Sequence, residues 1–310
     1  MFSFFTPSAF LLLFSLSISC FGFPLFSRPL DFAIKGEAAI LINAESGAVL
    51  FEKNSLRPLY PASTTKIATA LYALHLLKGE TQKMVTANKE SLKVVTDSYK
   101  KSKDYQIPPY WLEPDGTHIR LKLGEEMSYD SLLQGMLIAS GNDAANVIAQ
   151  GLAETIPLFM TNLNAFLKEL GCQNTHYCNP HGLHHPQHQT TAKDLAKMSM
   201  IALKNPKFCE MVKQSSFRRP QTNLQAPDTF AQTNRLLRNG PLRYAPAIGV
   251  KTGYHSKAKK TFVGAATLQG RTLVVVLLGY GGKNTIFEEA KALFELAFNE
   301  KQEKKIYLIF

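Results

Sequence analysis

The chain has 310 residues, 45% of them hydrophobic and 19% charged, a balance typical of globular and not of disordered proteins. Its length suffices for one large domain or two modest ones. The net charge of +11 indicates an anionic environment such as a membrane surface or an acidic polymer. The basic residues are scattered, and no zinc-finger, RNP or helix-turn-helix pattern is present, so no nucleic-acid partner is expected.

The N-terminal segment has the layout of a secretory signal, with an apolar run at residues 10–14 and no charged side chain before Arg28. Small residues offer a cleavage site after Ser19 or Gly22, which predicts a signal peptide over residues 1–22. A retained membrane anchor and a lipid on the nearby cysteine are the alternatives. All three predict an exported protein, in the periplasm or at the outer face of the inner membrane.

The next elements in the chain are a hairpin and a helix. Residues 39–42 and 48–51 are strand-like runs that flank a turn containing glycine, which predicts a β-hairpin. A helix is predicted to begin near Ser63 and to end around Lys78. Residues 92–112 are polar and irregular, so we expect them to form an excursion on the surface.

The middle of the chain shows helical periodicity and its last part shows strands. Helices are predicted at residues 129–139, 144–152, 158–170 and 192–203, with a short one around Phe208. Strands are predicted at residues 248–254, 261–268 and 272–279, and a final helix at residues 284–298. This order predicts an α/β fold in which one sheet is built from both ends of the chain and a mostly helical lobe lies against it. A cleft between the two is a natural place for a site.

Ser63 and Lys66 stand three residues apart where the first helix begins, so their side chains share one face. An alcohol becomes a good nucleophile when a neighbouring base takes its proton, and a partly desolvated lysine can act as that base. Backbone N–H groups at a helix start also favour developing negative charge. Ser98 and Ser256 have a lysine at the same spacing, so the spacing alone fits a solvated lysine equally well.

Two further patterns carry polar groups that could face the same cleft. Ser140 and Asn142 lie between two predicted helices and could relay a proton and hold a substrate amide, although alone they fit a helix cap and turn. Lys251, Thr252 and Gly253 end a predicted strand. The ammonium and hydroxyl could bind a substrate carboxylate, and the glycine lets a substrate lie close to the strand. A strand-terminating turn is the alternative.

Together and in this order, Ser-x-x-Lys, Ser-x-Asn and Lys-Thr-Gly resemble the motifs of the penicillin-binding proteins and serine β-lactamases. Four further segments resemble the low-molecular-mass D-alanyl-D-alanine carboxypeptidases of the peptidase S11 type: residues 60–69, 140–146, 179–183 and 192–194. The resemblance covers roughly residues 36–298. It implies a DD-peptidase/β-lactamase-like fold, with an antiparallel sheet and a catalytic domain at residues 34–299. Residues 300–310 would be a short tail able to touch a membrane, with no C-terminal β domain.

The resemblance also implies the chemistry. Ser63 would attack the peptidoglycan stem peptide and release its terminal D-alanine through an acyl-enzyme, with Lys66 as general base. Ser140 and Asn142 would complete the proton network and hold the peptide. The other expected roles are carboxylate binding by Lys251 and Thr252, and an oxyanion hole from the backbone N–H groups of Ser63 and of Tyr254, after Gly253. β-Lactam antibiotics would acylate the same serine as inhibitors, and no cofactor is implied.

Two departures from the family pattern affect the expected specificity. Where relatives commonly carry Ala-Gly, Ala258 is surrounded by lysines, and this basic rim would favour anionic peptides. The arginine that relatives use for the substrate carboxylate has no match, and Lys283 is the candidate substitute.

Several alternatives stay open at this level. A DD-endopeptidase or transpeptidase would use the same motifs, and a catalytically vestigial cell-wall binding protein would retain them without turnover. A class A β-lactamase is disfavoured because Met160 stands where the deacylating glutamate is expected. Cys172 and Cys178 could form a short-loop disulfide or remain free thiols. The histidines at 181, 184, 185 and 188 have the composition of a metal cluster without ligand spacing, so no metal is expected.

Overall fold

The computed structural model describes residues 30–282 and 284–307, with side chains as far as Glu300. The predicted signal segment, Lys283 and the last three residues of the tail lie outside the described residues.

The secondary structure follows the predicted order. The strands are β1 (Ala38–Asn43), β2 (Val49–Lys53), β3 (Met84–Thr86), β4 (Glu126–Ser128), β5 (Ser216–Arg219), β6 (Asp228–Ala231), β7 (Ala247–His255), β8 (Lys259–Leu268) and β9 (Arg271–Tyr280). The helices are α1 (Lys66–Leu77), α2 (Asp97–Ser102), α3 (Tyr129–Ile138), α4 (Asn142–Ala153), α5 (Ile156–Glu169), α6 (Ala192–Ala202), α7 (Pro206–Val212) and α8 (Thr285–Tyr307). A short 3-10 helix, Ala62–Thr65, leads directly into α1.

The central sheet confirms the prediction that both ends of the chain build it. Its five strands are antiparallel in the order β2-β1-β9-β8-β7. Because successive side chains of a strand point to opposite faces, β1 serves two cores. Ile40 and Ile42 pack with the helical lobe, whereas Leu41 packs in the second core with Phe294 of α8. The sheet therefore separates α8 from the lobe, and β7 is its edge strand beside the lobe.

Local chemistry sets the helix ends. Ser128, Thr155 and Thr191 each accept a backbone N–H with the side-chain oxygen at the start of α3, α5 and α6. At the end of α1, Lys78 takes the left-handed conformation (φ 48°). The helix at Ser63 differs, because no side chain caps it and the 3-10 turn supplies its first residues.

The structure departs from the sequence-based prediction in three respects. The segment at residues 92–112 was expected to be irregular, but it contains α2, where the Thr96 hydroxyl accepts the N–H of Tyr99. The two-stranded sheets β3/β4 and β5/β6 were not predicted, since strands of three or four residues carry too little alternation to detect. Helix α8 continues to Tyr307, beyond the predicted end at residue 298.

The cysteine side chains resolve one open point. Cys172 and Cys178 are free, so the thiol alternative holds and the disulfide does not. Within residues 30–282 and 284–307, no helix combines the length and apolarity needed to cross a membrane.

Candidate active site

A cleft of about 600 Å³ lies between the edge strand β7 and the helical lobe. All eight residues singled out from the sequence as catalytic or substrate-binding are gathered at this cleft or immediately behind it: Ser63, Lys66, Ser140, Asn142, Lys251, Thr252, Gly253 and Tyr254. Tyr254 is 69% exposed.

Lys66 is the centre of the hydrogen-bond network behind Ser63. As the first residue of α1 it is completely buried. Its Nζ lies 2.9 Å from Ser63 Oγ, 2.7 Å from Asn142 Oδ1 and 2.6 Å from the carbonyl oxygen of His181. A neutral amine has two N–H groups and one lone pair. If the N–H groups donate to Asn142 and His181, the lone pair is left for the Ser63 hydroxyl.

The environment favours that neutral form. Burial lowers the pKa of Lys66 well below its usual value, and the nearby charge of Lys251 lowers it further, while Asp143 opposes both. The carboxylate of Asp143 has another task as well, because it accepts the N–H groups of Ile119 (3.0 Å) and Leu121 (3.0 Å). A base with a depressed pKa beside a hydroxyl is the arrangement required for nucleophilic catalysis.

Ser140 and Lys251 form a second pair, which joins the helical lobe to β7. Lys251 Nζ donates to Ser140 Oγ at 2.9 Å and to the carbonyl of Thr252 at 3.0 Å. Burial lowers the pKa of Lys251 to about 7. Lys251 is completely buried, so its amine is enclosed behind the cleft. Thr252 is half-buried and lines the cleft, and its hydroxyl donates to Thr233 Oγ1 at 2.7 Å.

Two glycines let the backbone close around Ser63. A Cβ on Gly253 would lie 2.8 Å from the backbone nitrogen of Ser63 and 2.4 Å from Thr261 Oγ1. A Cβ on Gly182, which has φ +93°, would lie 1.9 Å from the carbonyl oxygen of Ala62. Only glycine allows both approaches. They bring β7 alongside the Ser63 N–H, next to the Tyr254 backbone that was predicted to complete an oxyanion hole.

The competing serine–lysine spacings do not form sites. The Ser98 hydroxyl shares a hydrogen bond with Thr96, and its lysine, Lys101, forms an ion pair with Asp97. Lys259, the partner of Ser256 by spacing, forms an ion pair with Glu37 at 2.9 Å. Of the three equivalent spacings, the structure brings together only the pair at Ser63.

The histidines have structural partners. His181 uses one ring nitrogen on the carbonyl of Tyr110 and accepts the N–H of Leu183 with the other. His188 contacts Thr65 Oγ1 at 2.8 Å and accepts the N–H of Cys178. Among the described residues, no group of three or more histidine, cysteine, aspartate or glutamate side chains is arranged to hold a metal ion.

Sequence reasoning missed three contributors to the site. Thr233 contacts the Thr252 hydroxyl, Asp143 faces Lys66, and Thr261 holds the Pro61 carbonyl at 2.8 Å. Asp143 could have been suspected, because it follows Asn142 directly. The two threonines lie outside the motifs and carry no local signal.

Comparison with known proteins agrees with this geometry. Residues 26–282 match the peptidase S11 family, D-alanyl-D-alanine carboxypeptidase. The chain is 30% identical to D-alanyl-D-alanine carboxypeptidase DacF of Bacillus subtilis over 90% of this chain and 66% of the relative. It is 32% identical to DacB2 of Mycobacterium tuberculosis over 84% and 81%. It thus spans somewhat less than two thirds of the Bacillus protein.

The fold matches as well. The crystal structure of the Streptomyces K15 DD-transpeptidase superposes with a TM-score of 0.74 at 26% identity, covering 87% of this chain and 99% of that one. The antiparallel sheet flanked by helices is therefore the fold of the DD-peptidases, as the motifs implied. The chain belongs to the peptidase S11 family of D-alanyl-D-alanine carboxypeptidases.

Proposed function

We propose that the protein is a serine-type D-alanyl-D-alanine carboxypeptidase that trims peptidoglycan stem peptides. The observation that carries the proposal is the contact of 2.9 Å between Lys66 Nζ and Ser63 Oγ, at the base of an open cleft. The family and the site agree on this reaction class, whereas fold alone would not decide it.

In the first step Ser63 is acylated. Neutral Lys66 takes the hydroxyl proton while Oγ bonds to the carbonyl carbon of the penultimate D-alanine. The carbonyl oxygen becomes negative and accepts the backbone N–H groups of Ser63 and Tyr254. In related hydrolases, losing one such donor costs roughly 3–4 kcal/mol of transition-state stabilisation. The bond to the terminal D-alanine then breaks, and its amine leaves with a proton.

Ser140 is placed to deliver that proton, since its hydroxyl faces the cleft and is held by Lys251 at 2.9 Å. In the second step a water molecule gives a proton to the same network and its oxygen bonds to the acyl carbon. The bond to Ser63 Oγ breaks and the hydroxyl is restored. Asn142 holds Lys66 and could also bind the amide of the substrate.

The terminal carboxylate would lie beside Thr252. The Thr252 hydroxyl lines the cleft together with Thr233, so the two can share one anionic oxygen. Lys251 acts from behind through its charge, because its amine is enclosed. In this arrangement the carboxylate is bound by hydroxyls in front of a buried cation.

Transpeptidation is the second candidate, since the structurally similar Streptomyces K15 protein is described as a DD-transpeptidase. The acyl-enzyme is common to both reactions, and they differ only in whether water or an amine takes the acyl group. An endopeptidase would differ in the bond that is cut.

Such an enzyme acts on the cell wall, so the protein must be exported to reach its substrate. The uncharged segment before Arg28 supplies the expected signal, and the periplasm or the outer face of the inner membrane is the proposed location. Penicillins would acylate Ser63 in place of the peptide.

The decisive experiment combines a peptide and a penicillin. Incubation of purified protein with a pentapeptide stem, followed by mass spectrometry, should show loss of one alanine. Cleavage of a cross-linked dimer would indicate the endopeptidase, and joining to an added amine would indicate the transpeptidase. Ser63→Ala should abolish both alanine release and labelling by a fluorescent penicillin. Labelling that persists in this variant would refute the assignment of Ser63.

A further inference from the structure

A buried ion pair lies beside the cleft and has no role in the proposed chemistry. Lys100 of α2 is 2% exposed, and its Nζ donates to the Glu113 carboxylate at 2.9 Å and to the carbonyl of Trp111 at 2.6 Å. Glu113 lines the cleft. A buried ion pair is a weak source of net stability, because taking two charges out of water costs about as much as their attraction returns. Its effect here is geometric, since it fixes the start of a loop formed by residues 113–118.

The 113–118 loop is closed by two hydrogen bonds to one carbonyl. The carbonyl oxygen of Glu113 accepts the backbone N–H of Gly116 at 3.0 Å and the Nε2–H of His118 at 2.8 Å. Because both bonds end on Glu113, the ion pair that holds Glu113 to α2 also holds the far end of the loop.

The loop lies against the catalytic network at Asn142, the first residue of α4. The carbonyl of Thr117 accepts the backbone N–H of Asn142 at 2.8 Å. A Cβ on Gly116 would lie 2.9 Å from Asn142 Nδ2, whereas ordinary contact begins at 3.4 Å. The loop therefore contacts both the backbone and the side chain of Asn142, and only a residue without a Cβ leaves the carboxamide its place.

The orientation of this carboxamide decides what Lys66 can do. Asn142 Oδ1 accepts an N–H of Lys66 at 2.7 Å, and Nδ2 is the end that faces Gly116. If the carboxamide were turned over, its N–H groups would face Lys66 and compete with the Ser63 hydroxyl for the lone pair of the amine. If it were displaced, the hydrogen bond that holds the amine beside Ser63 would lengthen.

We infer that the 113–118 loop, anchored by the ion pair between Glu113 and Lys100, is a positioning element for the Asn142 carboxamide. It keeps the carboxamide oxygen on Lys66, and so keeps the lone pair of the amine on Ser63. In this role the loop acts through Asn142 and touches no reacting atom. The inference rests on the proposed function, because it concerns the acylation of Ser63.

The test is Gly116→Ala, with Gly281→Ala as its matched control. Neither glycine has a left-handed φ, so an alanine meets no backbone strain at either position. Gly281 has nothing within 4 Å of a Cβ, and Gly281→Ala should react with a fluorescent penicillin at the wild-type rate. In Gly116→Ala the carboxamide must move by about 0.5 Å to regain ordinary contact. Since a misplacement of about 1 Å costs about 10²-fold in rate, we expect acylation to slow by about tenfold.

A double-mutant cycle separates positioning from a general structural effect. In an Asn142→Ala background the carboxamide is gone, so Gly116→Ala should cost no further rate. Glu113→Gln removes one charge of the ion pair, and it should slow acylation when Asn142 is present and not when it is absent. An equal loss from Gly116→Ala in both backgrounds, or no loss in either, would overturn the inference.

A measurement without turnover separates this inference from the proposed function. Crystal structures of the two glycine variants give the contact between Lys66 Nζ and Asn142 Oδ1, which is 2.7 Å in the wild type. It should be lengthened or lost in Gly116→Ala and kept in Gly281→Ala. If the wild type releases no alanine and the carboxamide is still displaced in Gly116→Ala, the proposed function fails and the inference stands. If the wild type releases alanine and Gly116→Ala keeps both the contact and the wild-type rate, the inference fails and the proposed function stands.

Discussion

Gly182→Ala should slow the acylation of Ser63, although Gly182 takes no part in the chemistry. The new Cβ would lie 1.9 Å from the carbonyl oxygen of Ala62, the residue before Ser63, whereas ordinary contact begins at 3.4 Å. One of the two segments must retreat by about 1.5 Å, because a packed interior offers no empty space. Misplacement of a nucleophile by about 1 Å costs about 10²-fold in rate.

The same substitution carries a backbone cost that a second glycine can measure. Gly182 has φ +93°, where an alanine is strained by about 1–2 kcal/mol. Gly47, in the turn between β1 and β2, has φ +72° with nothing within 4 Å of its hypothetical Cβ. Gly47→Ala therefore shares the strain without the clash, and should lose stability but keep normal acylation.

The assay is the rate at which a fluorescent penicillin acylates each variant, alongside urea unfolding. We expect Gly47→Ala to be destabilised by about 1 kcal/mol at wild-type rate. Gly182→Ala should be destabilised further, and its folded fraction should acylate about 10²-fold more slowly. If Gly182→Ala acylates at the rate of Gly47→Ala once both are folded, the contact with Ala62 does not position Ser63.

Two further predictions concern the buried lysines. Lys66→Arg should slow acylation by about 10²–10⁴-fold, because a guanidinium stays protonated and cannot act as the base. In the wild type, kcat/KM should fall as the pH is lowered through the depressed pKa of Lys66, because the amine then becomes protonated. A wild-type kcat/KM that does not change with pH would contradict this role. Lys251→Met should raise the free energy of unfolding at pH 7 and below. Burial depresses the folded pKa of Lys251 from 10.5 to about 7, so the penalty is complete below pH 7 and disappears as pH rises toward 10.5. Urea unfolding of both proteins at pH 7 and pH 10 should show the gap closing from an upper limit on the order of 4 kcal/mol, and a constant gap would refute the reasoning.

The sequence was informative where the signal is local or where motifs occur in a fixed order. Apolar strand-like runs located β7, β8 and β9, and the order of three motifs singled out Ser63 among three equal serine–lysine spacings. Short strands such as β3 and β5 were not predicted, because they have too few residues to show a hydrophobic period. Thr233 was not predicted for another reason, because its role depends on a contact with Thr252 that forms only when the chain folds.

The distribution of charge around the cleft also could not be predicted from the sequence. From the sequence, the lysines around Ala258 predicted a rim that favours anionic peptides. The same cleft is also lined by Asp97, from the segment that looked like a surface excursion, and by Asp115, which follows that segment. Asn146 fixes part of that segment on the lobe by donating to the carbonyls of Ser91 and Tyr110. Composition reports the sum of the charges, whereas recognition depends on which charges face each other.

The two buried lysines of the site are costly to bury, and the stability of the rest of the fold offsets that cost. Each is placed where water cannot solvate its charge, and the charge of Lys251 further depresses the pKa of Lys66. Burying two amines in one small region opposes folding, and the hydrogen bonds to Asn142, His181 and Ser140 offset that cost only in part. A stable sheet and two cores must supply the rest. In the proposed mechanism the same burial makes Lys66 reactive, because an amine that stayed protonated could not take the proton of Ser63.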